Sequence, residues 1–355
     1  MKSTNAKRPG PILSTDYTAG AHPAVLRALI ASNAENTPGY GSDHYCAEAA
    51  AKIRRACRAP KAEVFFLTGG TQTNALALDA LLKPYEGVLA AETGHIAVHE
   101  AGAVEFTGHK VLTLPAKDGR IRADSIVAWC ERFYADESYE HMVFPGVIYL
   151  SQPTEYGTLY SLEELTRIRA AADRFGLKIY ADGARLAYAL ACPENDVQLP
   201  DLARLCDAFY IGGTKCGALF GEALVLPRPG LVPHFITIEK QHGAMLAKGR
   251  LLGVQFKRLF ERDLYRQIGC YAVETAQKLR ESLQAAGFEP AVSSPTNQIF
   301  FRVKPEIYRR LQEANIGGFW DYAPDGTVVV RFVCSWATRP EEPEQLCSLL
   351  KGDQT

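Results

Sequence analysis

The feature that most constrains the fold is an alternation of short apolar runs with amphipathic runs between about residues 60 and 226. The apolar runs predict strands, and the amphipathic stretches between them predict helices. Strands that are apolar along their whole length suit a sheet covered on both faces, and strand–helix–strand alternation makes neighbouring strands parallel. The seven predicted strands are Glu63–Leu67, Val88–Glu92, Val111–Leu114, Gly146–Leu150, Lys178–Asp182, Ala208–Gly212 and Ala223–Leu226.

One of the intervening helices has clear start and stop signals. Ser161 followed three residues later by Glu164 forms a capping box, because each side chain bonds the backbone N–H of the other residue. Gly176 suits a helix end, since glycine adopts the left-handed conformation at low cost. The segment therefore predicts a helix over residues 162–175. Its apolar positions recur at steps of three or four and are Leu162, Leu165, Ile168, Ala172 and Phe175.

The pattern changes after about residue 230. Two long helices are predicted, Leu246–Arg262 and Asp263–Ala286, and a smaller α+β segment follows. Its predicted strands lie near Gln298–Val303 and Thr327–Cys334. No Pro/Gly/Ser-rich linker separates the two parts, so we place the boundary near residue 250. The predicted divisions are an N-terminal arm (residues 1–20), a large domain (21–250) and a small C-terminal domain (251–355).

Charge and cysteine content exclude several classes of protein. The 39 Lys plus Arg balance 40 Asp plus Glu, so nothing electrostatic favours nucleic acid or an anionic membrane. No run approaches the ~20 apolar residues that span a bilayer, and no apolar segment follows the polar start. The nine cysteines are odd in number and none is in C-x-x-C spacing, which favours reduced thiols. We therefore expect a cytoplasmic protein without disulfides or a bound metal.

The first segment with chemical content is Thr68-Gly69-Gly70-Thr71-Gln72, between a strand and a helix predicted to start near Gln72. Small residues at a helix N-terminus leave backbone N–H groups free to bind an anion, and Thr71 and Gln72 add side-chain donors. The spacing is neither the Rossmann nor the P-loop pattern. A strand-to-helix turn that needs glycine for its backbone alone is the alternative interpretation.

The second segment is Tyr180-Ala181-Asp182, at the predicted carboxyl end of a strand. Ligands of open α/β sheets bind at that edge, so Asp182 is a candidate site residue. An N-cap role for Asp182 at the next helix is the alternative, because aspartate is common at that position.

The third segment carries Lys215, which follows an apolar strand and is flanked by Gly213, Thr214 and Gly217. A lysine held near the interior loses part of its hydration, which lowers its pKa and makes the amine nucleophilic. We predict that Thr214, which precedes Lys215, binds the same ligand as the lysine. A solvated lysine in a glycine turn is the alternative, since lysine is rarely buried.

The three segments together favour pyridoxal 5'-phosphate chemistry. The phosphate would occupy the glycine loop and helix N-terminus, and Lys215 would form the Schiff base. Asp182 would pair with the pyridine nitrogen and keep it protonated, which makes the ring an electron sink. The order of loop, aspartate and lysine is more specific than any one of them.

At these residues the sequence resembles the threonine aldolases of the β-eliminating lyase group. The resemblance runs from about Asp16 to Arg331 and is most specific at residues 182–185, Asp-Gly-Ala-Arg. It implies an aspartate-aminotransferase-like fold of the α/β class, with a large, mostly parallel seven-stranded sheet domain and a smaller C-terminal α+β domain. It also implies a homo-oligomer, a dimer or tetramer, whose active sites are shared across an interface.

The resemblance also assigns residues to the cofactor and the substrate. Gly70 and Thr71 match phosphate ligands. Lys248 or Arg250 is expected to reach the phosphate of a neighbouring subunit.

Two arginines are expected to bind the substrate α-carboxylate. Arg331 interrupts an apolar strand and needs an anionic partner, which is a protein carboxylate or, by the resemblance, the substrate. A guanidinium fork matches a carboxylate well. Arg185 resembles a second residue near the same group.

Two residues are candidates for the proton chemistry. The resemblance puts His95 against the cofactor ring, and histidine is a natural general base near neutral pH. Threonine aldolases often carry a second histidine near the substrate hydroxyl, and Glu155 occupies about that position here. His95 and His99, spaced i and i+4, are also the start of a zinc site, but no third ligand is suggested.

We therefore expect a pyridoxal phosphate-dependent lyase that cleaves an L-β-hydroxy-α-amino acid to glycine and an aldehyde. Lys215, His95, Asp182 and Glu155 are its predicted catalytic residues. A β-eliminating lyase or an aminotransferase is the alternative with the same cofactor. A ligand-binding α/β protein without activity, or a metal-dependent hydrolase using His95 and His99, is the alternative of another class.

Overall fold

The computed structural model describes residues 12–351, so the first eleven residues of the predicted N-terminal arm and the last four of the chain lie outside it. Seven strands form the large sheet, and all seven were predicted. The main difference is that two of them extend further than expected, since β2 begins at Glu86 and β4 begins at Phe144. Their bounds are β1 Glu63–Leu67, β2 Glu86–Ala91, β3 Val111–Leu114, β4 Phe144–Ser151, β5 Lys178–Asp182, β6 Ala208–Gly212 and β7 Glu222–Leu226.

The strand order in this sheet is β1-β7-β6-β5-β4-β2-β3. Strands β6, β5, β4, β2 and β3 are parallel, and β7 runs antiparallel to both β6 and β1. The reversal has a simple cause, because β7 returns from β6 through a short loop without a crossover helix. The mostly parallel sheet predicted from the alternation is confirmed. It brings the carboxyl ends of β4, β5 and β6 to one edge.

Helices cover both faces of the large sheet. Alternate strand residues face opposite layers, with Leu89 and Ile148 in one apolar cluster and Val88 and Val147 in the other. This explains why the strands are apolar over most of their length. The helices are α1 Pro23–Ser32, α2 His44–Ala56, α3 Gly70–Leu81, α4 His95–Val98, α5 Ala103–Phe106, α6 Ala123–Ala135, α7 Leu162–Phe175, α8 Leu186–Ala191, α9 Leu199–Leu205, α10 Phe235–Gln241, α11 Arg250–Leu259 and α12 Leu264–Ala285.

The local signals place helix ends well where a cap is present. Helix α7 has both hydrogen bonds of the capping box at Ser161, and Gly176 ends it with φ of 67°. Helix α11 begins at Arg250, four residues later than predicted, after the buried Gly249. A Cβ on Gly249 would lie 2.6 Å from the backbone nitrogen of Gly41, so close packing fixes this corner.

A second, antiparallel sheet follows α12, with strand order β10-β11-β9-β8. Its apolar face packs on α12 around Leu279 and Phe301. The two strands predicted here are present, whereas the short edge strands β8 and β10 were not foreseen. The elements are β8 Pro290–Val292, β9 Gln298–Val303, α13 Pro305–Glu313, β10 Gly318–Tyr322, β11 Val328–Val333 and α14 Glu341–Lys351.

The division into domains stays a prediction, although the two sheets fall on either side of residue 250. Helix α11, just after that point, packs against α2 beside the large sheet. Leu13 pairs instead with the second sheet, because its carbonyl accepts from the Val333 N–H at 2.7 Å. Within residues 12–351, no helix is long and apolar enough to cross a membrane.

Candidate active site

Two connected cavities lie at the carboxyl edge of β4, β5 and β6. The inner cavity is about 360 Å³ and the outer about 710 Å³, a size range that suits small-molecule ligands. His95, Glu155, Arg185 and Lys215 line both, so the cavities share one wall. The predicted site residues in the inner cavity are Gly70, Thr71, His95, Glu155, Asp182, Arg185, Thr214 and Lys215. Arg331 and His99 line the outer cavity.

Lys215 stands in the loop between β6 and β7, at the floor of the inner cavity. The loop is fixed because the N–H groups of Gly213 and Thr214 both donate to the Gly221 carbonyl at 3.0 Å. Burial lowers the pKa of Lys215, and the nearby Arg185 charge lowers it further. The amine is therefore easier to deprotonate than an ordinary lysine, as a nucleophile requires.

Asp182, the last residue of β5, is buried and accepts hydrogen bonds on both oxygens. Asn74 Nδ2 and Tyr149 Oη donate to Oδ2 at 3.0 and 2.7 Å, and the Ala184 N–H donates to Oδ1 at 2.9 Å. Burial alone would raise its pKa, but hydrogen bonds from Tyr210 and Tyr149 outweigh it and hold the pKa below the usual value. Asp182 is thus a buried anion that can pair with a cationic ring nitrogen.

The N-terminus of α3 points at the inner cavity through Gly70 and Thr71. The helix starts at Gly70, earlier than predicted, and its N-cap Gly69 offers no side-chain acceptor. The first N–H groups of the helix are therefore free for an anion. Gln72 does not line the inner cavity, and its Oε1 accepts from Thr68 Oγ1 at 2.6 Å, so its contact with a cofactor stays a prediction.

The two basic residues expected near a phosphate do not line either cavity of their own chain. Lys248 is exposed ahead of α11. The Arg250 guanidinium donates to the carbonyls of Glu35 and Asn33. Reaching the phosphate of a neighbouring subunit stays a prediction for Lys248.

Arg185 follows β5 of the large sheet, whereas Arg331 lies in β11 of the second sheet. Arg185 donates from Nε and Nη2 to the two oxygens of Asp16, so only part of its guanidinium is left for a substrate. Arg331 donates to Gln298 Oε1 at 3.3 Å and stacks on Trp320, while its buried Nε lacks a partner among the described residues. Burial lowers the pKa of Arg331 to about 10. A group placed in this way favours an incoming carboxylate.

A ring of hydrogen bonds joins His95 to Asp182, and most of its members were not foreseen. His95 Nδ1 lies 2.6 Å from Glu100 Oε1, which also accepts from Asn74 Nδ2 at 2.7 Å. Asn74 continues the ring to Asp182. Asn74 follows Thr73 and Glu100 follows His99, so neither interrupts an apolar run, and no pattern in the sequence marks them as site residues.

The other half of the ring passes through Glu155. Ser151 Oγ donates to Glu155 Oε1 at 2.6 Å, and the His95 N–H donates to the same oxygen at 3.1 Å. Ser151 Oγ also contacts Tyr149 Oη at 3.2 Å, which leads back to Asp182. Burial raises the pKa of Glu155 despite the hydrogen bond from Ser151.

Glu222, at the start of β7, is a further acidic residue in the inner cavity that the sequence did not reveal. It is 3% exposed, and its Oε2 accepts from the Gly213 N–H at 2.8 Å. Burial raises its pKa to about 7. It pairs in register with Gly212, which places it opposite the end of β6 and near Lys215.

The histidine pair does not extend to a metal centre in the described part of the chain. The rings of His95 and His99 lie 5.8 Å apart. No group of three or more candidate ligands is present among residues 12–351.

Comparison with known proteins agrees with this geometry. The chain matches the β-eliminating lyase family over residues 13–305. It is 31% identical to a low specificity L-threonine aldolase from a Pseudomonas species, over 96% of each chain. The structure of Leishmania major threonine aldolase superposes with a TM-score of 0.91 at 40% identity, covering 96% of this chain and 98% of that one.

A more distant structure shares the architecture alone. Aspartate aminotransferase from Thermus thermophilus gives a TM-score of 0.70 at 16% identity, covering 96% of this chain and 91% of that one. The fold is therefore the aspartate-aminotransferase-like fold expected from the sequence. The chain belongs to the β-eliminating lyase family.

Proposed function

We propose that this protein is a pyridoxal 5'-phosphate-dependent lyase that cleaves L-β-hydroxy-α-amino acids to glycine and an aldehyde. The observation that carries the proposal is the convergence of Lys215, Asp182 and the α3 N-terminus on one cavity. The Pseudomonas and Leishmania relatives, both named threonine aldolases, support the choice of reaction.

The residues present fit the cofactor. Lys215 supplies an amine with a lowered pKa, and Asp182 supplies a buried carboxylate whose pKa is held low. The free N–H groups of Gly70 and Thr71 suit the phosphate, and Thr214 lines the same cavity. When bound, the cofactor supplies an electron sink for the pair released as the Cα–Cβ bond breaks.

The protein's own groups bind and orient the substrate. Arg331, with its unpartnered Nε, takes the α-carboxylate, and Arg185 adds positive charge beside it. This fixes the substrate so that its amine faces Lys215 and its side chain faces the outer cavity. His95 or Glu155 then removes the β-hydroxyl proton, since both line the two cavities where they meet.

Aldehyde release is the direct test. Purified protein supplied with the cofactor should release aldehyde and an equal amount of glycine from threonine, allo-threonine or phenylserine. Pyruvate with ammonia, or a dependence on an added keto acid, would instead identify elimination or transamination. Lys215→Ala should lose the visible absorbance of lysine-bound cofactor. Lys178→Ala is the matched control, because Lys178 begins β5 at the end away from Asp182 and the cavity.

We further propose a cytoplasmic homo-oligomer, a dimer or tetramer, in which Lys248 reaches the phosphate of a neighbouring subunit. The exposure of Lys248 and of apolar Tyr17, Val98 and Phe319 around the outer cavity supports it. Mixing inactive Lys215→Ala and Lys248→Ala subunits is the test. Hybrids should recover activity if sites are shared, and no recovery at any mixing ratio would contradict the shared site.

A further inference from the structure

The contacts of Glu100 constrain the protonation of His95. The Glu100 side chain is fully buried, and its Oε1 lies 2.6 Å from His95 Nδ1. The same oxygen accepts from Asn74 Nδ2 at 2.7 Å. An ionised carboxylate only accepts hydrogen bonds, so the short contact requires a proton on Nδ1.

The orientation of the Asn74 amide is itself fixed. Tyr180 Oη donates to Asn74 Oδ1 at 2.9 Å, which turns Nδ2 toward Glu100 and Asp182. Reversing the amide would set its oxygen against two carboxylates. Asn74 Nδ2 therefore donates to the carboxylates of both Glu100 and Asp182 and links the two.

The location of the shared proton follows from the other contacts of Glu100. Its Oε1 already accepts from Asn74 Nδ2, as an ionised carboxylate does, so the proton in the short Glu100–His95 contact belongs on Nδ1. Glu100 Oε2 is buried without a partner among the described residues, and a proton there would be an unsatisfied donor. Neutral His95 consequently has an unprotonated Nε2.

We propose that Glu100 is a positioning residue that keeps the proton of His95 on Nδ1, so that Nε2 accepts the β-hydroxyl proton of the substrate. The inference rests on the proposed function and assigns the proton acceptor within it. His95 lines both cavities, so its ring is accessible where the substrate side chain must lie.

The step balances in protons and electrons. The hydroxyl proton moves to Nε2, and the O–H electron pair becomes the second C–O bond of the aldehyde. The Cα–Cβ pair stays with the future glycine carbon, which is protonated before glycine leaves. His95 passes through its doubly protonated form, which the adjacent Glu100 carboxylate stabilises.

The first test reads the tautomer directly in the full-length protein. Nitrogen NMR of histidine-labelled protein, with and without added cofactor, should show neutral His95 protonated on Nδ1. His95→Gln assigns the signal by its disappearance. Because the wild-type spectrum alone answers the question, a variant that fails to fold does not weaken the test. A wild-type proton on Nε2 would overturn the proposal.

The second test compares isosteric glutamines. In Glu100→Gln the amide can donate to Nδ1 and move the ring proton to Nε2, so kcat should fall about 100-fold or more with KM little changed. Glu105→Gln is the matched control, five residues away and exposed on α5. It should match the wild type in kcat and in the His95 spectrum.

Glu155→Gln tests whether Glu155, and not His95, accepts the β-hydroxyl proton. The glutamine oxygen can still accept from Ser151 and the His95 N–H, so kcat should fall less in this variant than in Glu100→Gln. A larger loss in Glu155→Gln than in Glu100→Gln would overturn the assignment to His95. Failure of the proposed function is a different result, because the wild type itself would then release no aldehyde.

Discussion

Asp16 and Arg185 form a buried ion pair in which Nε and Nη2 donate to the two carboxylate oxygens at 2.7 and 2.9 Å. The Asp16 side chain is fully buried, and Asn297 Nδ2 also donates to it at 3.0 Å. The Arg185 charge holds the pKa of Asp16 below its usual value although burial acts to raise it. Asp16 thus orients an arginine that lines both cavities.

Asp16→Asn should destabilise the fold and weaken substrate binding. It leaves the Arg185 charge buried and unpaired, which costs about 3 kcal/mol of unfolding free energy. KM should rise about tenfold, since the guanidinium loses its orientation. Urea denaturation and steady-state kinetics measure the two effects. Asp124→Asn, which breaks an exposed pair with Arg167, should change stability by less than about 1 kcal/mol.

Asp182→Asn should abolish most activity while the protein stays folded. Asn74, Tyr149 and the Ala184 N–H all donate to this position, so an amide nitrogen there meets donors and cannot hold a ring nitrogen protonated. We expect kcat to fall about 100- to 1,000-fold. Aldehyde release and circular dichroism give the readouts. Wild-type kcat in this variant would refute the role of Asp182, and Asp173→Asn on the surface of α7 is the control.

Arg331→Lys should affect substrate binding more than turnover. An ammonium group cannot form the two-pronged contact with a carboxylate or stack on Trp320, so KM should rise about 30-fold. The change in kcat should be smaller, because the proton chemistry is handled by other residues. Arg302→Lys on neighbouring β9 is the matched control, since its side chain is 42% exposed. An unchanged KM would remove Arg331 from the substrate site.

Glu222 should make stability depend on pH. Its folded-state pKa is about 7 against an ordinary 4.5, so the native state binds this proton more tightly than the unfolded chain does. Protonation of Glu222 therefore contributes up to about 3 kcal/mol to the free energy of unfolding. This contribution is fully present below about pH 4.5 and is lost as the pH rises through about 7. Urea denaturation at several pH values should show this slope in the wild type.

The glutamine in Glu222→Gln cannot titrate. The free energy of unfolding of this variant should therefore fall less than that of the wild type between pH 5 and pH 8, a range that brackets the pKa of about 7. Glu163→Gln, on the exposed side of α7, should keep the wild-type slope. Identical slopes for Glu222→Gln and the wild type would show that this carboxyl does not titrate in that range.

Strand positions were predictable because burial on both faces leaves an apolar run, as in residues 179–181 of β5 and 208–212 of β6. Helix α7 was predictable because its caps are local signals at Ser161 and Gly176. The edge strand β10 was not, since none of its residues is buried and residues 319–322, Phe-Trp-Asp-Tyr, do not alternate between apolar and polar.

The site was predictable where chemistry demanded unusual residues beside strand ends. Lys215 and Asp182 stand out for that reason. Glu100 and Asn74 depend on a helix and a loop meeting in space, and no spacing in the sequence reports such a meeting. The hydrogen bond from Thr68 Oγ1 to Gln72 Oε1 was not predictable either, because local sequence cannot tell a free amide from one that bonds back to a neighbouring residue.

The pairing of Leu13 with Val333 has a consequence for the intact protein. It anchors the segment that carries Asp16 to the second sheet, while Asp16 itself pairs with Arg185 beside the first. Proteolytic removal of the residues up to Asp16 would therefore leave the buried Arg185 guanidinium without its carboxylate partner, although no residue of either sheet would be lost. We expect such trimming to weaken substrate binding, and mass spectrometry of the purified protein would detect it.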